Sequence, residues 1–160
     1  MSLTQFFLKT LGAWKSTRMY LYPKKKGSPV EVSETYFIWT QDNADTFSVE
    51  WSNLKMASEG KMSITLEDPY KLKRNVGYFT NDQTVSEVIL SSPNHLKTVT
   101  EYNNMNFTET ITFLDDNTRQ RHTIAKRILK DGKLGDIFLV GSYLETRCLE
   151  EDGEDADVSL

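Results

Sequence analysis

The chain is poor in the residues that specialised chemistry most often uses. It has one cysteine, Cys148, in 160 residues, which excludes an internal disulfide framework and any cysteine-rich zinc module. Its two histidines, His95 and His122, cannot build a metal site without carboxylates to complete it, and no metal site is expected. No run approaches the ~20 apolar residues of a membrane-spanning helix. The first eleven residues hold one lysine and no long apolar run, so neither a secretory signal nor a transit peptide is expected. Four prolines and eight glycines exclude collagen-like or low-complexity architecture. The net charge of −4 conceals an acidic end: Glu150, Glu151, Asp152, Glu154, Asp155 and Asp157. Without those six the chain carries 17 acids against 19 bases. Such balance lacks the dense basic face of a nucleic-acid binder. The expectation is one domain over 1–149 followed by an acidic, solvated tail over 150–160, with no nucleic-acid and no membrane partner.

What the chain does have is β-forming residues in short runs. Only Thr4–Leu11 reads as a helix, capped by Ser2 or Thr4, striped with Phe6, Phe7, Leu8 and Leu11, and stopped by Gly12. Runs rich in Thr, Val, Ile, Phe, Tyr and Trp then follow: 14–22, 34–40, 46–52, 61–66, 75–80, 86–91, 96–102, 107–114, 119–128, 136–140 and 143–149. Turn residues separate them, among them Asn103-Asn104 and Asp115-Asp116-Asn117. About ten short strands with tight turns predict one antiparallel meander. A sheet that long leaves exposed edges unless it closes. The predicted fold is therefore an all-β, about ten-stranded antiparallel up-and-down barrel of the lipocalin or fatty-acid-binding kind, with one N-terminal helix over an end.

Alternate residues of a strand share a face. Phe47, Val49 and Trp51 then point inward, as do Glu109, Ile111 and Phe113. Arg119 shares a face with Arg121, Trp14 with Ser16, Arg18 and Tyr20, and Tyr143 with Glu145 and Arg147. Several strands thus place one charge on an apolar inner face. A lone buried charge costs several kcal/mol, so these groups must pair with one another or with a ligand. Two readings stay open: a salt-bridged network that fixes register, or a site for a ligand bearing both carboxylates and N–H donors.

The motifs resemble a known family. They are Trp14-Lys15-Ser16-Thr17-Arg18, Phe47-Ser48-Val49-Glu50-Trp51, Arg74-Asn75-Val76-Gly77-Tyr78, Glu109-Thr110-Ile111-Thr112-Phe113, Asn117-Thr118-Arg119-Gln120-Arg121 and Gly141-Ser142-Tyr143-Leu144-Glu145-Thr146-Arg147. In order and spacing they are similar to the S-type phycobiliprotein lyases, from about Phe6 to Arg147. The resemblance implies a lipocalin-like ten-stranded barrel. It implies an enzyme that binds a free bilin, phycoerythrobilin or phycocyanobilin, as substrate and with no prosthetic group. The pigment goes to a cysteine of an apo-phycobiliprotein α or β subunit as a thioether, in the cytoplasm of a cyanobacterium or in a plastid. The matching positions imply Glu109 and Arg119 as catalytic residues, with Glu109 on the pyrrole nitrogens. Arg18, Trp51, Arg121, Tyr143, Glu145 and Arg147 are implied as ligand-binding. A homodimer, or a heterodimer with a related lyase subunit, is compatible with the resemblance. The chain departs from the family at Thr112 and near Met56 and Ala57, where tryptophan is usual. It departs also at Gln120, where leucine is common, and at Tyr143-Leu144 in place of Cys-Ser. The altered aromatics imply a reshaped pocket.

Other residues are read as bland. Cys148 falls outside the barrel by parity, His122 is out of phase with the two arginines, and Lys24-Lys25-Lys26 sits in a turn. Asn106-Phe107-Thr108 matches a glycosylation acceptor with no export signal beside it. The rival functions are a passive small-ligand carrier and a non-catalytic subunit of a heterodimeric lyase.

Overall fold

A computed structural model describes residues 2–25, 30–53, 58–67, 70–76 and 80–149. The acidic end and the positions near Met56 and Ala57 lie outside the described residues. The elements are α1 (Leu3–Leu8), β1 (Gly12–Leu21), β2 (Glu31–Asn43), β3 (Thr46–Asn53), β4 (Ser58–Glu67), β5 (Lys71–Arg74), β6 (Thr84–Ser92), β7 (His95–Tyr102), β8 (Met105–Asp115), β9 (Thr118–Ile128) and β10 (Leu134–Arg147). Each strand pairs antiparallel with the next, and β1 pairs with both β2 and β10. The result is the expected closed ten-stranded barrel. No helix among the described residues is long and apolar enough to cross a membrane.

The alternation of side chains explains the core. Trp14, Phe37, Phe47, Val49, Ile64, Leu72, Leu96, Ile111 and Phe113 are buried inside, while outward positions such as Glu34, Glu50 and His122 are exposed. The hairpin between β7 and β8 turns on Asn103 and Asn104, both with positive φ (51° and 58°). Asparagine tolerates that region better than other non-glycine residues, which suits it to a two-residue hairpin turn. The helix is shorter than its apolar stripe suggests. Ser2 caps it, and the Gln5 side chain returns a bond to the Ser2 backbone, a reciprocal capping box. Its Phe6 and Phe7 close one end of the barrel, Phe6 edge-on to Phe113 at 5.3 Å and Phe7 at 5.6 Å from Phe47.

Three expectations differ from the fold. The run 136–140 and the run 143–149 are one strand, β10. Gly141 is no break: a side chain there would meet the hydroxyl of Tyr143, which folds back over it. Gly60 likewise sits inside β4, because the Trp51 indole lies across it from the opposite strand position. The fifth strand is Lys71–Arg74, not 75–80. With Leu72 as its one apolar residue, β5 shows little of the β-branched and aromatic enrichment that marks a strand, yet Leu72 is fully buried between Leu66 and Ser86 in the ladder.

Candidate functional site

A cavity of about 220 Å³ lies inside the barrel, with Phe7 of the helix in its lining. Its apolar wall is aromatic and aliphatic: Phe7, Phe37, Trp39, Trp51 and Met62, with Ile64, Leu96 and Ile111. Its charged wall is Arg18 on β1, Arg74 on β5, Glu109 on β8 and Arg121 on β9. Of the residues expected at a site, Arg18, Trp51, Glu109 and Arg121 therefore border the cavity. Arg119, Tyr143, Glu145 and Arg147 do not.

These two groups are joined by a ladder of alternating charge. Arg119 and Glu145 are direct cross-strand partners on β9 and β10, and both are fully buried. Arg119 Nε donates to Glu145 Oε1 at 2.7 Å. Arg121 Nη1 lies 3.7 Å from Glu145 Oε2, and Arg121 Nη2 donates to Glu109 Oε1 at 3.0 Å. The order from plug to cavity is thus Arg119, Glu145, Arg121, Glu109. The charges form the salt-bridged network that one of the two sequence readings describes, and the network ends in a carboxylate on the cavity wall.

Burial shapes the ionisation of the ladder. Burial alone would push the Glu145 carboxyl up, but Arg121 and Arg119 outweigh it and hold the group below the usual carboxylate range. Burial lowers the Arg119 guanidinium, and Glu145 opposes that. The flat face of Arg119 sits 4.5 Å from the Trp14 ring and 5.7 Å from the Phe113 ring. Its two terminal nitrogens meet no acceptor among the described residues, so ring faces do part of the work that oxygens do elsewhere. Arg18 stacks at 4.2 Å from Tyr143, whose hydroxyl donates to Thr123 Oγ1 at 3.3 Å. Tyr20, next inward on β1, has its phenol pushed up to about 12 by burial, with Arg18 pulling the other way.

Arg147 closes the barrel end. Its terminal nitrogens donate to the carbonyls of Lys9 (2.8 Å) and Leu11 (2.5 Å), which follow the helix, and its guanidinium lies 4.3 Å from the Trp14 ring. The guanidinium thus ties the segment that follows the helix to the end of β10. The departures at Thr112 and Gln120 fall on the outer face. Thr112 Oγ1 is 2.7 Å from His95 Nδ1 there, and Gln120 is exposed. These two positions do not reshape the cavity. Asn106 is buried with its amide on Glu101 at 2.9 Å, which removes it as a glycosylation acceptor.

A family model described as "CpeS-like protein" matches residues 30–148. The chain belongs to the CpeS-like family. Among solved structures, this CpeS-like protein is similar to an S-type phycobiliprotein lyase CpeS from Guillardia theta. That match has a TM-score of 0.68 and 20% identity, covering 92% of this chain and 93% of that one. A protein of unknown function from the DUF3598 family of Nostoc punctiforme matches at TM-score 0.62 and 15% identity, over 88% of this chain and 48% of that one. The fluorescent protein UnaG matches at 0.54 and 16%, over 88% and 98%. At these identities the likenesses establish the barrel. No curated protein matches the sequence.

Arg74 and Trp39 are among the cavity-lining residues that the sequence reading did not single out. Arg74 stands two positions after Leu72 and shares its inward face, but the strand was expected to begin one residue later. Trp39 reads as ordinary core; its indole N–H is buried without an acceptor among the described residues, a property no sequence pattern carries.

Proposed function

We propose that this CpeS-like protein is a phycobiliprotein lyase. It takes up a free open-chain tetrapyrrole in the barrel and delivers it to a cysteine of an apo-phycobiliprotein α or β subunit. The observation that carries the reading is the cavity wall itself: one carboxylate, Glu109, set among arginines and aromatic rings. A bilin has apolar, conjugated rings, a row of pyrrole nitrogens and two propionates, and each feature has a counterpart. Trp51 and Trp39 offer flat faces to the rings. Arg18 offers a planar fork to a propionate. Glu109, held by Arg121, accepts from the pyrrole N–H groups and favours the protonated, more electrophilic pigment.

Attachment is an addition. The acceptor's thiol sulfur bonds to the pigment's exocyclic side chain, the C=C double bond there becomes single, and the thiol proton ends on the tetrapyrrole. No oxidant or reductant is needed. The lyase's part is to hold the pigment extended and charged while the acceptor's thiolate approaches. Arg119, Glu145 and Tyr143 act behind the wall in this reading. They hold Arg121 and Arg18 at fixed angles, and Arg147 keeps the end shut. The reading places the protein where phycobiliproteins are assembled, in a cyanobacterial cytoplasm or a plastid.

Titration with phycocyanobilin and with phycoerythrobilin, followed by visible absorption, tests this. The expected result is a saturable, red-shifted 1:1 spectrum, then transfer of pigment to an apo-subunit. Glu109→Gln is expected to weaken binding by about tenfold and to shift the bound spectrum to the blue. An unchanged spectrum and unchanged transfer in that variant would remove Glu109 from the mechanism. Binding without transfer to any acceptor would make the protein a carrier, or a subunit awaiting its partner.

A further inference from the structure

The charges inside the barrel do not balance. Four guanidiniums, those of Arg18, Arg74, Arg119 and Arg121, face inward against two carboxylates, those of Glu109 and Glu145. Arg119 and Arg121 are the ones paired with the acids. Arg18 and Arg74 have no ion-pair partner among the described residues. They also stand on facing walls, on β1 and β5, four strands apart by the shorter way round the barrel and six by the longer.

Arg74 is the more telling of the two. It is 8% exposed. Its Nη1 donates to Ser86 Oγ at 2.6 Å, and Ser86 Oγ is 2.5 Å from Thr100 Oγ1. Both hydroxyls are buried. They aim the guanidinium without neutralising it. An arginine does not shed its proton, so a buried one without an acid carries a cost that an anion relieves. On the facing wall, Trp39 Nε1 on β2 and Arg18 Nε on β1 are buried donors that meet no acceptor among the described residues.

From this we infer that Arg74 is a second anion anchor, and that the cavity selects a ligand with two carboxylates, one on Arg18 and one on Arg74. The inference rests on the bilin reading, which supplies a ligand with two propionates. Gripping from facing walls fixes the pigment's rotation about the barrel axis as well as its affinity. A pigment with both arms held presents one edge of the conjugated system to Glu109 and one end to the cavity mouth.

The test compares phycocyanobilin with its dimethyl ester on the wild-type chain, Arg74→Gln and Arg74→Lys. The wild type should bind the diacid about tenfold or more tightly than the ester. Arg74→Gln should weaken diacid binding by about tenfold and leave ester binding within about twofold. Arg74→Lys keeps a cation but loses the fork, and should fall between them. It serves alone if the glutamine variant does not fold. Loss of affinity for both pigment forms alike would overturn the assignment, since Arg74 would then merely brace Ser86 and Thr100. So would no loss for either form. A wild-type chain that binds neither phycocyanobilin nor phycoerythrobilin, as diacid or as ester, would remove the lyase reading itself, and this assignment with it.

Discussion

Glu145 is a carboxylate that water never reaches, fixed between two arginines. The sign of its effect on stability follows from its lowered ionisation. The folded form holds the proton less tightly than the unfolded chain does. Its contribution is complete above the ordinary carboxylate value, about 4.3, and is lost as pH falls through the lower folded value. Glu145→Gln leaves Arg119 buried without the carboxylate it is paired with, which costs about 3–5 kcal/mol. Urea unfolding at neutral pH should show that loss, and the variant should lack the wild type's extra decline at acid pH. Wild-type stability in the variant would mean that the aromatic rings alone sustain Arg119. The residue type and face were legible in the sequence here, since parity alone put Glu109, Glu145, Arg119 and Arg121 inside. Depth was not legible. Nothing in a period of two tells the cavity wall from the layer behind it, so Arg119 and Glu145 read like Arg121 and Glu109.

At the scale of elements, glycines decide where aromatic side chains lie. Gly141 leaves room for the Tyr143 hydroxyl inside β10, and Gly60 leaves room for the Trp51 indole inside β4. Both look like strand breaks in sequence because glycine usually is one. Gly141→Ala should drive the Tyr143 ring off its bond to Thr123 and away from Arg18, at a cost of about 1–3 kcal/mol. Chemical denaturation measures the cost, and near-ultraviolet circular dichroism reads the displaced ring. An unchanged near-ultraviolet spectrum would show that the strand shifts instead. Strands with strong alternation, such as β3 and β8, were placed within a residue or two. Strand β5 was not, because it is held by neighbours on both sides rather than by its own composition.

For the whole molecule, the helix and the last strand act together as a stopper. Arg147 joins them through the Lys9 and Leu11 carbonyls and takes no part in the cavity lining. Arg147→Ala should lower stability by about 1–3 kcal/mol and leave the bound bilin spectrum as it is in the wild type. A thermal melt beside a pigment titration separates these effects, and a changed spectrum would return Arg147 to the ligand's surroundings. The closed barrel was legible from strand number and turn spacing, and its helix plug from Phe6 and Phe7.

The pairing of β1 with β10 has a consequence for how the protein is made. The first strand must wait for the last, because Trp14 finds Arg147 and Arg18 finds Tyr143 across most of the chain. Loops that long close late, and barrels rich in such contacts fold slowly. Arg18 enters the wall only when β10 docks, and Arg121 gains Glu145 only then. On a ribosome, a chain that has emerged as far as β9 has neither seam nor pocket. The cavity therefore begins with the completed protein, and a half-made chain offers no half-formed pocket.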